Sequence, residues 1–572
     1  MRKKGYSMKI LISQYIKTLK ERNELDRLLP SLLLSMDIVP LFTTQTGTRQ
    51  YGVDIAAIGK DPEDGVKKIF LFVVKQKDLG RAEWDSGVNS IRPSLNEIFD
   101  VYIKNHLLPE HKSLPKKIIL STSGDMKEEL SQSWSGYIDY HKPYEFDFWG
   151  AAKLATLIEK HMLNEHIFND DDRTDLRKSL SLICENDYSR EDFHRLLLRT
   201  LQLDVNGRKT KEIKKSELEK SIRTCYLATN ILAYWAIQDG NTKQALYVSE
   251  RCLLWVWHRI NLEKKPQRYF PSIENLWQNY INISNEYFSK LQPYFHGKYL
   301  LSSYSTESAL INLTIFEQIG ILSTIGLNNF FAALRCEGEK QEVRLKNAII
   351  IAESLCALIS NNPASGSPRL DENSIDITLA FTFLFLVGKM DNAEEWLRAL
   401  IARLDFVFKV GRNHPVSTDS IDDLICLDCN NDDSYLREKT TSTSWIIPTL
   451  MGWAVILKKE DGYNTLLKGI KESYPKMCAQ LWHPTNNLYH HLYFHQAQYV
   501  TGETEAPIIF PDNMNNYQDR MNELREMDRY NFFRESSAVK FGLTILDFIA
   551  CRHFRTPVPP ALWYRLQKNN DH

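Results

Sequence analysis

Apolar and polar positions change period along this chain. Over residues 25–34 the apolar residues recur at helical spacing, which predicts a helix after the charged turn at 20–23. Residues 52–58 read as a strand, and the apolar run at 68–75 reads as a buried one. Between them, residues 60–65 hold Asp61, Pro62 and Gly65, which predicts a hairpin turn. The alternation continues with a helix at 94–104, a strand at 117–122, a helix at 126–138, a strand at 144–149 and a helix at 151–159. This order predicts an α/β domain over residues 1–168, layered around a central sheet.

Residues 169–220 are strongly charged, with Asp170, Asp171 and Asp172 together and a lysine-rich stretch from Gly207 to Lys220. They read as a linker or helical connector, with a basic DNA-facing surface as the less simple alternative. From 221 to 572 the pattern is helical throughout, as in Tyr226, Leu227, Ile231, Leu232, Trp235 and Leu246. Gly240 precedes Ala245, and Gly388 precedes Ala393, by the same five positions, each after an apolar helix. That spacing resembles the tetratricopeptide helix–turn–helix, in which small residues let two helices approach closely. A weaker third copy has Gly462, with Leu467 where alanine is expected. The copies share no constant period. The expectation is therefore a large all-α helical-hairpin array, or else an irregular all-helical domain.

With 71 basic and 72 acidic residues the chain is nearly neutral, so nucleic-acid binding requires a local basic groove. Nine cysteines, several inside apolar helical patterns (Cys225, Cys252, Cys356), suit a reducing compartment. No leader-like start is read, and no uninterrupted apolar run of about 18–20 residues. The expected location is the cytoplasm, without a membrane partner. No glycine-rich phosphate loop of the GxxxxGK[ST] or GxGxxG type occurs. Cys426 and Cys429 read as reduced thiols in an acidic loop, with His414 upstream and no second pair at zinc spacing. His490, His491 and His495, with His483 nearby, lie among aromatic residues and read as core histidines on a helix.

Metal-dependent phosphodiester cleavage requires carboxylates that hold one or two divalent ions, and it gains from a nearby lysine. A strand pair is a suitable platform. Here Asp54 lies on the first hairpin strand, and Lys75, Gln76 and Lys77 close the second. Gly52-Val53-Asp54-Ile55, a hairpin, and an apolar strand ending at lysine together resemble the PD-(D/E)xK nucleases, in their Mrr-type restriction-endonuclease-like branch. Residues 118–124, and 146–149 with Leu154, are similar to the family's outer strands and final helix, so the resemblance spans residues 10–165.

That resemblance implies roles for particular residues. Asp54 matches the metal aspartate, Lys77 the catalytic lysine, and Glu24 the glutamate of the preceding helix. Lys75 stands where the family has Glu or Gln, and a lysine repels the metal. Glu97, on the following helix, is then the available replacement carboxylate. The implied metal set is Asp54, Glu24 and Glu97 around Mg2+ or Mn2+, with Lys75, Gln76 and Arg81 facing nucleic acid, DNA rather than RNA. The implied activity is that of an endonuclease, in an architecture similar to bacterial anti-phage defence effectors. Regulation would pass through the helical region, by a protein partner or by self-association. The alternative is a degenerate nuclease-like domain that serves as a nucleic-acid or protein interaction subunit of a defence complex.

Overall fold

The computed structural model describes residues 8–566 apart from 20, 22–24, 43–50, 88–89, 108, 163–169, 186–187, 306, 411–414, 419, 430–433, 474–475, 485–490, 495–502 and 527–535. Two compact units divide it. The first takes in residues 1–202 and 211–241, the second 203–210 and 242–572.

The first unit is built on a five-stranded mixed sheet of β1 (Val39–Phe42), β2 (Ile55–Lys60), β3 (Lys67–Lys75), β4 (Lys116–Thr122) and β5 (Glu145–Trp149), in that spatial order. The pairs β1–β2 and β2–β3 are antiparallel, and β3–β4 and β4–β5 are parallel. The expected hairpin joins β2 to β3, with Ile55 opposite Phe72 and Lys60 opposite Lys67. Gly65 takes the left-handed conformation in its turn.

The parallel pairing explains the apolar run in β3. Its neighbours β2 and β4 leave no open edge, and helices cover both faces, so Lys68 through Val74 are all buried. Leu71, Val73, Ile118 and Leu120 pack with Trp84, Leu95, Ile98 and Trp134. Those residues come from α3 (Arg81–Asp85), α4 (Ile91–Glu97), its π-helical continuation Ile98–His106, and α5 (Glu128–Tyr140). Phe70, Phe72, Val74 and Ile119 of the opposite face are equally buried. On that side α1 (Met8–Thr18) packs along α6 (Ala151–His161), and α2 (Asp26–Ser35) packs against β1 and α6. The α/β sandwich is as expected, with α1 and β1 added to it.

Most of the charged connector is helical and belongs to this unit. Asp175 on α7 (Asp170–Leu182) pairs with Arg195 and Arg199 of α8 (Glu191–Leu201). On α9 (Lys215–Gln238), Thr224 Oγ1 donates to the carbonyl of Met162, and Tyr234 meets Tyr15 edge-on at 6.0 Å.

The second unit is mostly helical, as expected. Its longer helices are α10 (Thr242–Asn261), α11 (Phe270–Phe295), α12 (Ser308–Ala333), α13 (Glu339–Asn361), α14 (Asn373–Leu386), α15 (Met390–Lys409), α16 (Ile421–Cys429), α17 (Ser434–Thr440), α18 (Ile446–Ile456), α19 (Glu460–Ser473), α20 (Met514–Glu526) and α21 (Ile545–Phe554). Among the described residues its only sheets are two-stranded: Thr443–Ser444 with Cys478–Ala479, and Leu481–His483 with Glu503–Glu505.

Helix α12 is long and apolar enough to cross a membrane by length and composition, yet 72% of its most apolar window is buried within the protein. It is the core helix of this unit. Two of its buried polar side chains accept bonds from α11: Tyr287 donates to Gln318 at 2.8 Å, and Trp277 donates to Asn328. Gly326 lets α14 approach closely, because a Cβ there would fall 2.0 Å from the ring of Phe383.

Gly240 and Gly388 end α9 and α14 with φ of 89° and 74°. The chain then closes each helix through Asn241 N–H to Ala236 O (2.7 Å) and Lys389 N–H to Leu384 O (2.9 Å). The third copy differs from expectation. Lys458, at φ 56°, makes the turn, closed by Lys459 N–H to Ala454 O at 2.7 Å. Gly462 lies inside α19, where a Cβ would sit 2.8 Å from Ile401 Cδ1, so the glycine serves close packing against α15.

Two local readings are also corrected. Cys426 is on helix α16 rather than in a loop. His483 lies on a strand with Nε2 3.7 Å from Glu505, and residues 491–493 form a single 3-10 turn. His414, His490 and His495 fall outside the described residues.

Candidate active site at the end of the hairpin

Asp54 stands immediately before β2. Its main-chain N–H donates to Phe72 O at 2.8 Å, and its Oδ2 accepts the main-chain N–H of Val74 at 2.7 Å. The carboxylate thus takes the place of a ladder carbonyl where the strand begins. The approach to it depends on glycine: Gly52 has φ of 80°, and a Cβ there would fall 2.0 Å from the carbonyl oxygen of Ser94 on α4.

Burial pushes the Asp54 carboxyl up to about 6. The Val74 N–H and the charge of Lys75 act in the opposite direction, while Glu21 and Asp26 add repulsion. Asp26 opens α2, and its buried Oδ1 has no hydrogen-bond partner among the described residues. A half-buried carboxyl raised first by desolvation and then by the like charges of Glu21 and Asp26 belongs to a donor set short of positive charge. Oxygen-seeking divalent ions suit such a set.

The described strands bring Lys75 toward Asp54 and place Lys77 differently from expectation. Strand β3 ends at Lys75, and Lys77 lies beyond it in a left-handed turn with φ of 66°. Both main-chain groups of Lys77 are held by the end of β4. Its N–H donates to Ser123 Oγ at 3.1 Å, and its carbonyl accepts from Thr122 Oγ1 at 2.6 Å. A Cβ on Gly124 would come within 2.3 Å of the Lys77 backbone, so only glycine fits against the turn. Leu79 bridges to Met126, and the N–H of Asp125 donates to Asp78 Oδ1 at 2.9 Å, extending the staple.

Of the other expected site residues, Gln76 is half-buried, Arg81 is exposed at the start of α3, and Glu97 is half-buried at the end of α4. Glu24 lies outside the described residues. Sequence reading missed Glu21, Asp26, Thr122 and Ser123. For Asp26 there was one available signal, an acidic residue in the first turn of a leucine-rich helix.

A second carboxylate group lies at the far end of the hairpin, about 23 Å from Asp54 at roughly 3.3 Å per strand residue. Oxygens of Asp61, Asp64 and Glu145 lie within 4.8 Å of one another, close enough to hold one metal ion. The ammonium of Lys68 sits among them, 3.1 Å from Asp61 and 2.5 Å from Glu145, and pairs with Asp64. Lys117 adds contacts to Asp61 (3.0 Å) and Glu63 (2.7 Å). Burial works against the charge on Lys68, yet its hydrogen bonds to Asp64, Glu145 and Asp61 hold its pKa above the ordinary lysine value. The lysines already compensate this group, and a metal would have to displace Lys68. The charge deficit lies at Asp54.

No protein-family model, curated protein or solved structure matches this chain.

Proposed function

We propose that the first unit is a metal-dependent endonuclease whose site is centred on Asp54. The supporting observation is the half-buried Asp54 carboxyl, raised to about 6 and acted on by the charges of Asp26, Glu21 and Lys75. Asp54, Asp26 and Glu21 would hold Mg2+ or Mn2+. When bound, that ion supplies Lewis-acid stabilisation of charge on the scissile phosphate and a more acidic attacking water. The bond from Val74 fixes the orientation of the Asp54 carboxylate before any ligand arrives. Lys75 contributes a positive charge for the non-bridging phosphate oxygens, in the part first assigned to Lys77. Exposed Lys77 and Arg81, with Gln76, then contact the flanking backbone of nucleic acid, DNA by preference. Glu97 remains a further carboxylate on the helix that covers the site.

In this reading the helical unit regulates cleavage through a protein partner or self-association, in a cytoplasmic anti-phage defence system. The test is incubation of the full-length protein with supercoiled plasmid and, in parallel, with RNA, in Mg2+ or Mn2+. Cleavage lost in Asp54→Asn supports the reading. No cleavage by the wild type with either metal favours the second reading.

That second reading is a nuclease-like domain that binds nucleic acid without cutting it. The presence of Lys75 where the resembling family carries Glu or Gln favours it. In that case Lys75→Gln weakens DNA binding and makes its salt dependence shallower by one phosphate contact.

A further inference from the structure

One face of α15 is buried in the second unit through Trp396, Leu397, Leu400, Ile401 and Leu404. The opposite face is exposed and carries Arg398, Ala399, Ala402, Arg403, Phe406 and, in the turn after the helix, Val410. The main-chain N–H of Val410 donates to Phe406 O at 3.0 Å, so this residue keeps the helical register. The buried side is anchored: Trp396 Nε1 donates to Ser365 O at 3.1 Å, and Ile401 packs against Gly462 of α19. The exposed face is therefore presented on a helix fixed from behind.

That face has the pattern of a coiled-coil seam. Ala399, Ala402 and Phe406 are spaced i, i+3 and i+7, and at about 100° per residue they and Val410 fall within about 80°. Phe406 and Val410 are 56% and 48% exposed, and the two alanines beside them let a second backbone come close. Arg398 flanks the seam on one side and Arg403 on the other. Neither arginine makes a hydrogen bond or ion pair among the described residues. Of the nearby acidic residues, Asp405 is engaged by Lys409 at 2.7 Å, and Glu395 lies a turn before the seam begins. A cavity of about 130 Å³ adjoins Phe406 and Val407, with Pro368 and Leu404 also in its lining. At about 30 Å³ per water it has room for about four waters, or for one leucine side chain.

We propose that this face docks an amphipathic helix of a protein partner, with apolar residues on the seam and carboxylates along both edges. The proposal deepens the reading that the helical unit acts through a protein partner, by naming that partner's chemistry. The seam from Ala399 to Val410 runs about 17 Å at about 1.5 Å per residue, three turns of a facing helix. An aliphatic side chain of that helix enters the cavity beside Phe406 as its anchor. The flanking positions of a seam set partner choice by charge, and here both edges are cationic without a counter-charge. A second copy would bring arginine against arginine, so like charges disfavour self-association through this face. An anionic membrane is a poorer match, because the main apolar face of α15 is already buried.

The test is fluorescence anisotropy of two labelled helical peptides with the full-length protein, without metal or nucleic acid. One peptide has about three heptads with leucine on its seam and glutamate at the flanking positions; the other carries lysine in place of glutamate. The glutamate peptide is expected to bind with a Kd of about 10 μM, and the lysine peptide about tenfold or more weakly. Arg398→Glu combined with Arg403→Glu should reverse that preference. Phe406→Ala should weaken the glutamate peptide about tenfold, and Ala402→Gln, a good helix former that fills the seam, should do the same. All four positions are exposed, and an unchanged melting temperature confirms folding. The proposal is overturned if the glutamate peptide fails to bind at about 1 mM, if both peptides bind equally, or if Ala402→Gln binds in full. Self-association abolished by Phe406→Ala gives the face to a second copy and equally overturns it. So does binding to phosphatidylserine vesicles that the double arginine variant abolishes. Peptide binding is read without cleavage, so its failure is distinct from failure of the nuclease reading.

Discussion

The Oδ2 of Asp54 accepts the main-chain N–H of Val74 at 2.7 Å, so a titratable side chain closes the hydrogen-bond ladder where β2 begins. An amide accepts the same bond without the charge. The folded-state pKa of Asp54 is about 6 against an ordinary 3.8, so the folded protein holds this proton more tightly than the unfolded chain. The associated stability is fully present below about 3.8 and is lost as pH rises through about 6, by at most about 3 kcal/mol. Asp54→Asn should therefore melt higher than the wild type at pH 8 in chelator, with the gap closing toward acidic pH. Mn2+ should raise the melting temperature of the wild type and leave the variant unmoved. Identical melting curves at pH 8 would remove the basis for a charge-deficient site.

Lys75 and Lys77 are separated by the end of the strand, and their roles should separate as well. Lys75→Gln is expected to lower the cleavage rate about 100-fold, the scale of losing one charge-stabilising donor. Lys77→Gln, on the turn, should cost less than about tenfold, as expected for one backbone phosphate contact. Plasmid-nicking rates at saturating Mg2+ give the comparison, and the reverse order would return the catalytic role to Lys77.

The left-handed turn at Lys77 is held from both sides by β4. Thr122→Val and Ser123→Ala should each cost about 1–2 kcal/mol in urea denaturation, since each leaves a main-chain group unsatisfied. Lys77→Gly should instead stabilise the protein by about 1 kcal/mol, because glycine adopts positive φ without the steric penalty. A destabilised Lys77→Gly would mean that the lysine side chain contributes more than the strain of its backbone.

The helix ends at Gly240, Gly388 and Lys458 make a matched set. Gly240→Ala and Gly388→Ala should each lose about 1 kcal/mol, and Lys458→Gly should gain a similar amount. Melting temperatures of the three variants provide the measurement. A neutral Gly388→Ala would show that its turn relaxes away from φ of 74° at little cost.

The order of elements in residues 1–168 and the helical character of the second half were legible in the sequence, because both rest on local rules. A run of six apolar residues bounded by a turn can be buried as β3, and Gly388 after an apolar helix can end it in the left-handed conformation. Asp54 also stood out, through the glycine before it and the lysines that close the next strand. The partners of Asp54 were not legible. Glu21 and Asp26 reach it from another layer of the sandwich, and Lys75 rather than Lys77 acts on it because β3 ends where it does. Neither did spacing show that Lys68 neutralises Asp61, Asp64 and Glu145, or that α12 is a buried core helix. Periodicity and turn chemistry depend on residues close in sequence, so one chain reveals them. The charge state of a carboxylate and the burial of a helix depend on segments far apart in sequence, and only the tertiary structure decided those.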